Sequence, residues 1–306
     1  MGAECAYNRR GFTLIELSIV LVIIGLIVGG VLVGQSLISA AAVRAQVTQI
    51  EKFNSAANTF FGKYGYLPGD IPTGPAAQFG FIARGTQRAE GDGNGVIEGW
   101  DQAASDWGIE ECGGETVSFW VDLSTAHLID GGFSIGNETN GACTVTGAAV
   151  ASYFPAAKIG GGNYIYVYSG GMVNASSGFA WQSTGANYFG LSAVSSIAQF
   201  VTTSNPGLSV ATAYSIDKKV DDGLPQSGNV TAEYLTIDTG DGGTGIMWTD
   251  GTDAVWYPPN TSARPGSATT CYDDGNSTSN PMQYSIEISN GANVNCALSF
   301  KFQAGD

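Results

Sequence analysis

Arg9-Arg10-Gly11-Phe12-Thr13-Leu14-Ile15-Glu16-Leu17 opens the stretch that decides the fold, and the 27 residues from Leu17 to Val43 that complete it carry no charge. As a helix rising about 1.5 Å per residue, that run extends roughly 40 Å, more than the ~30 Å of a hydrocarbon core. It can span a membrane. One carboxylate, Glu16, stands at the start of the apolar segment. A carboxylate moved towards hydrocarbon is costly unless it is paired, so Glu16 is a functional candidate by default. Thr13 and Glu16 also have capping-box spacing, with Thr13 at the N-cap and the acid favoured by the helix dipole.

Beyond Val43 the apolar residues narrow to one face. Ile50, Phe53, Ala57, Phe60 and Tyr64 recur at three- and four-residue steps among Gln46, Gln49, Glu51, Lys52, Asn54 and Asn58, which predicts an amphipathic continuation of the same helix. Its stop is expected near residues 62–65, with Leu67-Pro68-Gly69 following. The glycines at 25, 29, 30 and 34 set small-residue steps of four, which let helices approach closely in lipid.

The basic pair, Gly11, Phe12 and the carboxylate at Glu16 resemble the prepilin signal of type IV pilins and of the pseudopilins of type II secretion. That resemblance implies a membrane peptidase cut between Gly11 and Phe12, methylation of the new amine, and a role for Glu16 in meeting the N-terminal amine of a neighbouring subunit. It also implies an α+β ladle fold. Residues 1–11 are then a leader and 12–64 a transmembrane and assembly helix. Residues 65–306 form an extracytoplasmic head, divided into a long connection (65–162) and a sheet with a C-terminal disulfide region (163–306). Many pilins carry a proline in the apolar helix; here the first proline is Pro68. Two further segments, Lys63 to Asp70 and Ser215 to Pro225, are similar to parts of large prepilin-type proteins. A twin-arginine export signal ending at Ser39-Ala40-Ala41-Ala42 is the competing reading, but such signals have apolar cores of about 7–15 residues.

The chain has 12 basic and 27 acidic residues. Residues 12–64 hold Arg44, Lys52 and Lys63 against Glu16 and Glu51, so the part from Gly65 onward carries 7 minus 24, or −17. A head so acidic repels nucleic acid and anionic lipid and suits soluble display or cation binding. With 44 glycines it is expected to be rich in turns.

Within it, Glu90-Gly91-Asp92-Gly93-Asn94-Gly95-Val96-Ile97-Glu98-Gly99-Trp100-Asp101 fits a twelve-residue calcium-loop pattern. Glu90, Asp92, Asn94, Glu98 and Asp101 supply side-chain oxygens and Val96 its carbonyl. Glu at the first position and Asp at the twelfth depart from the usual loop, and no clear entering helix precedes it. The plainer reading is a Gly/Asp/Asn turn. Asp221 and Asp222 form an acidic turn that is a second cation candidate, and Asp238 to Gly243 is a weaker echo.

Cys5 lies in the expected leader, leaving Cys112, Cys143, Cys271 and Cys296. Three pairings are possible. Cys112 with Cys143 and Cys271 with Cys296 each close a local glycine-rich or polar loop, and the second resembles the C-terminal disulfide of pilins. His127 is the one histidine, and no catalytic constellation can be built on it. Val117 to Asp130 is expected to be a helix, as is Leu208 to Val220. Strands are expected at Tyr164–Tyr168, Phe179–Trp181, Tyr188–Leu191, Ala232–Ile237, Ile246–Trp248, Tyr284–Ile288 and Ala297–Phe302. Five Asn-x-Ser/Thr sequences, at Asn137, Asn174, Asn229, Asn260 and Asn276, are unsurprising in a chain this rich in these residues.

The functional expectation is structural rather than enzymatic. It is a filament subunit, held in the inner membrane as a precursor and assembled as a homo-oligomer by pilus machinery. A pseudopilin in a periplasmic secretion piston and a calcium-dependent adhesive minor pilin are the alternatives.

Overall fold

The structure is a computed structural model that describes residues 13–84, 90–99, 113–134, 143–169, 185–198, 201–237, 244–250, 268–274 and 281–302. Helix α1, Leu14–Tyr64, runs for 51 residues. The chain divides into two compact units, Met1–Ala42 and Val43–Asp306. In the first, the apolar side chains of α1 are exposed all round, Leu26 and Ile38 among them, and the helix is long and apolar enough to cross a membrane.

In the second unit, α1 buries one face through Val43, Gln46, Gln49, Ile50, Phe53, Ala56, Ala57 and Phe60. That is the face the spacing predicts. Phe53 meets Trp120 edge-on at 5.0 Å between ring centroids, and Phe60 lies 5.2 Å from Phe81. The two buried glutamines serve the backbone that crosses them. Gln49 donates to the Ala156 carbonyl at 3.0 Å and accepts from the Lys158 amide at 2.8 Å, while Gln46 accepts from the Ile159 amide at 3.0 Å. Apolar burial holds the helix to the head, and these directional bonds fix its rotation and register. The helix ends at Gly65, whose φ of +78° suits a glycine after the last turn.

Two short helices follow, α2 (Thr73–Phe79) and α3 (Glu115–Thr125), and later α4 (Val210–Val220). The strands are β1 (Thr144–Thr146), β2 (Tyr164–Ser169), β3 (Asn187–Ala198), β4 (Val201–Asn205), β5 (Leu208–Ser209), β6 (Val230–Thr231), β7 (Glu233–Ile237), β8 (Thr244–Trp248), β9 (Tyr272–Asp273), β10 (Gln283–Tyr284), β11 (Val294–Cys296) and β12 (Leu298–Lys301). Every pairing among these strands is antiparallel.

Strand β3 is the hub. Its first half lies between β2 and β12, and its second half, from Ala193, pairs with β4 across a register shift between Val194 and Ser196, and with β1 from Ser196. Phe189 points from β3 towards Phe53, Trp120 and Phe302, joining sheet, α1 and α3 in one aromatic core. Gly190 makes room for the ring of Tyr166 directly across the ladder; a Cβ there would overlap it. The hydroxyl of Tyr166 then accepts from the Leu235 amide at 2.9 Å, tying β7 to the main sheet. The architecture is the α+β arrangement expected, with the second half of the long helix on an antiparallel sheet.

Several boundaries differ from expectation for local reasons. Helix α3 stops at Thr125 instead of Asp130, because His127 takes a left-handed φ of +56°. The strand expected from Tyr284 to Ile288 shortens to Gln283–Tyr284, and Ser289 and Asn290 adopt φ of +51° and +53° in a 3-10 turn. Strand β3 runs on to Ala198, through a Ser-rich stretch that lacks the aromatic signal of Tyr188–Leu191. The Phe179–Trp181 strand lies outside the described residues. Cys271 and Cys296 form the expected disulfide; Cys112, and with it the Cys112–Cys143 pairing, lies outside the described residues.

Glu233 is buried in β7, accepting from the Thr231 hydroxyl at 2.9 Å. No cation pairs with it among the described residues. Burial pushes its carboxyl up to about 7. Because the folded value exceeds the unfolded one, the folded state keeps a proton that the unfolded state has lost, and stability falls as pH rises from about 4.5 to about 7. Glu233→Gln keeps the acceptor without the charge. In thermal unfolding of the detergent-solubilised chain it should exceed the wild type at pH 8, by up to roughly 3 kcal/mol, and match it at pH 4. A difference independent of pH would contradict this.

Candidate functional site

The first site is the start of α1. Glu16 accepts from the Thr13 amide and hydroxyl, both at 2.8 Å, and the Glu16 amide donates to the Thr13 hydroxyl at 3.3 Å. This is a reciprocal capping box. It satisfies orphan amides of the first turn and leaves the carboxylate exposed, open to a cationic partner. Gly11 and Phe12, the expected processing residues, lie outside the described residues.

The second site is built from three chain segments. After α1, Leu67-Pro68-Gly69 turns so closely over α3 that a Cβ on Gly69 would strike the Glu115 carbonyl. Here φ is +88°, doubly demanding glycine. The Gly69 amide donates to Asp122 at 2.7 Å, and the same carboxylate pairs with the buried guanidinium of Arg84. Burial raises the Asp122 carboxyl more than Arg84 lowers it. Arg84 also donates from Nε to the Ile71 carbonyl at 3.2 Å. Together these bonds hold Asp70 beside Glu115.

The loop 90–98 wraps around those two carboxylates. Asp70 accepts from the amides of Gly93 (2.6 Å), Asn94 (3.2 Å) and Gly95 (2.8 Å). Glu115 accepts from the amides of Gly91 (2.9 Å), Asp92 (3.4 Å) and Glu98 (3.0 Å). Gly91 has φ of +94°, and a Cβ there would meet the Ile71 carbonyl. Asn187 clamps the far end, accepting from the Ile97 amide at 2.7 Å and donating to the Gly95 carbonyl at 3.0 Å.

Asp92 completes a cluster in which carboxylate oxygens of Asp70, Asp92 and Glu115 lie within 4.8 Å of one another. Burial raises the Asp70 carboxyl to about 6, against the loop amides that lower it. Burial, then the charges of Asp70 and Glu98, push Glu115 well above its ordinary value.

Of the six residues expected in a calcium loop, Glu90, Asp92, Asn94, Val96 and Glu98 lie in the described stretch and Asp101 does not. Asp92 reaches the cluster. Asn94 donates to Asp92 and to Glu98, both at 3.1 Å, and accepts from the Val96 amide at 2.7 Å. Glu90 and Glu98 are buried. The sequence pattern missed Asp70 and Glu115, which lie some twenty residues to either side and reach the loop only through the fold. Two oxygens across one Ca²⁺ are about 5 Å apart. The oxygens of Asp70, Asp92 and Glu115 lie within that distance of one another, and those of Asp70 and Glu115 also accept the loop amides.

Asp217, Asp221 and Asp222 also converge within 4.8 Å, and, like those of the first cluster, their oxygens accept hydrogen bonds, here from the turn that follows α4 and from Tyr284. Asp217 accepts from Tyr284 at 2.8 Å and Gly223 at 3.0 Å, Asp222 from Leu224 at 2.8 Å and Ser227 at 2.6 Å, and Asp221 from the amides of Asn229 and Val230. Asp238 to Gly240 and the rest of the weaker echo lie outside the described residues.

Compared with known protein families, residues 7–32 match the prokaryotic N-terminal methylation motif. Residues 7–32 thus carry a prepilin-type signal, typical of type IV pilins and pseudopilins. No curated protein and no solved structure matches the chain. The signal, an apolar helix able to span a membrane and a helix-backed antiparallel head together describe a pilin-like precursor anchored through α1.

Proposed function

We propose that the chain is a structural subunit of a type IV pilus-like extracellular filament. As a precursor it sits in the inner membrane through α1; a prepilin peptidase cuts after Gly11, and the mature chains polymerise through their N-terminal helices. The observation that carries this reading is that the methylation motif at 7–32 runs into a helix whose large apolar side chains, from Leu14 to Ile38, are exposed. In the filament those side chains exchange lipid for neighbouring helices. Glu16, exposed beside its cap, takes the Phe12 amine of a neighbour as its counter-charge. The same signal serves the pseudopilin of a secretion system, which differs in staying within the periplasm.

Calcium holds loop 90–98 of the head, with Asp70, Asp92 and Glu115 as its carboxylate ligands. The support is their convergence from three chain segments, with Asp70 and Glu115 buried and raised by that burial and Asp92 at the exposed side. Bound there, a dication supplies the positive charge that three adjoining carboxylates lack. A head stiffened in this way is also what a calcium-dependent adhesive minor pilin would need.

Two experiments separate these claims. Glu16→Ala should leave processed protein in the membrane and remove it from sheared filaments; normal filament numbers would refute the assembly role. For the metal, added Ca²⁺ should raise the melting temperature of the wild-type chain, by an increment growing with concentration above Kd. Asp92→Ala and Glu115→Gln should each abolish that rise. An undiminished response in both variants would remove calcium from this site.

A further inference from the structure

Between Val43 and Tyr64, helix α1 buries one face and exposes the other. Arg44, Lys52 and Lys63 lie on the exposed side with Glu51, a balance of three minus one, or +2. From Gly65 onward the balance is 7 minus 24, or −17. One of the seven head cations, Arg84, is buried against Asp122. Among the described residues, Arg44 and Lys52 make no ion pair, and Lys63 rests over its neighbour Tyr64 at 4.8 Å. Exposed carboxylates on the head include Asp130, Asp222 and Glu287.

We propose that the exposed face of α1 from Arg44 to Lys63 is the docking surface for the acidic head of a second copy of this chain. The proposal rests on the filament reading. Without its leader each copy has 10 basic and 26 acidic residues, a net −16, so heads brought together repel unless a region of opposite sign lies between them. The helix stripe is such a region, and every copy carries one. Stripe against stripe, or head against head, would oppose like charges. Stripe against head is a contact between two different patches, and such heterologous contacts propagate into open helical assemblies when they do not close into rings.

The cations are well separated. Eight residues from Arg44 to Lys52 and eleven from Lys52 to Lys63 rise about 12 Å and about 16 Å, beyond a Debye length of about 8 Å at physiological salt. Each therefore needs its own carboxylate partner, and the contact is sensitive to salt.

The test uses full-length chain in cells, comparing wild type with Arg44→Glu/Lys52→Glu and with the charge-keeping Arg44→Lys/Lys52→Arg. The reversed variant should be processed and retained in the membrane at wild-type level, yet fall at least about tenfold in the sheared filament fraction; the charge-keeping variant should assemble. Assembly of the reversed variant at wild-type yield overturns the proposal, and so does its release from the membrane while still folded, which would assign the stripe to anionic lipid. Lys52→Gln, which removes one charge without reversing it, gives a readout that does not depend on tolerating the reversal. Its sheared filaments should dissociate at lower salt than wild-type filaments, and an unchanged salt dependence also overturns the proposal. Absence of filaments from wild-type cells would instead refute the filament reading.

Discussion

The head is organised by the contact that Phe53 and Phe60 make from α1. Phe53 touches Trp120 and Phe189, and Phe60 touches Phe81, so one helical face gathers α3, the hub strand and the connection after α2 into a single core. The constraint it imposes is rotational. Apolar contact alone would let a helix slide or turn, but Gln46 and Gln49 bond to the backbone of residues 156–159 and allow one setting. Once α1 is set, Gly65 ends it and Leu67-Pro68-Gly69 carries the chain across α3, which delivers Asp70 to the buried face of loop 90–98.

Acidity has two uses in this molecule. Many carboxylates are inside, where they accept backbone amides from glycine-rich segments: Asp70 and Glu115 at the cluster, Asp217 in the last turns of α4, Asp122 beside Arg84. These shape the irregular connections that a chain with 44 glycines would otherwise leave loosely specified. The rest lie outside and give the head its sign. The exposed face of α1 from Arg44 to Lys63 has the opposite sign.

Much of this was legible in the sequence because it is periodic or local. The steps of three and four from Ile50 to Tyr64 gave the buried face of α1, and all but Tyr64, which is half buried, are fully inside. Glycine gave the helix stop, aromatic runs gave β2 and the start of β3, and spacing gave the Cys271–Cys296 bond. What was not legible depends on three dimensions. The Asp/Gly loop advertised its own oxygens, yet its amides turn towards Asp70 and Glu115, and nothing in linear spacing distinguishes those two acids from others that stay at the surface. The run of Tyr284 to Ile288 has the residues of a strand, but tight turns in which the Ile286 amide donates to the Tyr284 carbonyl and the Ile288 amide to the Ser285 carbonyl end it at Tyr284.

The claim on which the functional reading turns is the identity of the mature N-terminus. Mass spectrometry of the N-terminal peptide, from filaments sheared off intact cells, tests it most directly. A peptide beginning at Phe12 with a methylated amine is the predicted result. A mature chain beginning near Ala42 would mean that the apolar helix had been removed as an ordinary export signal, and would contradict the filament reading outright.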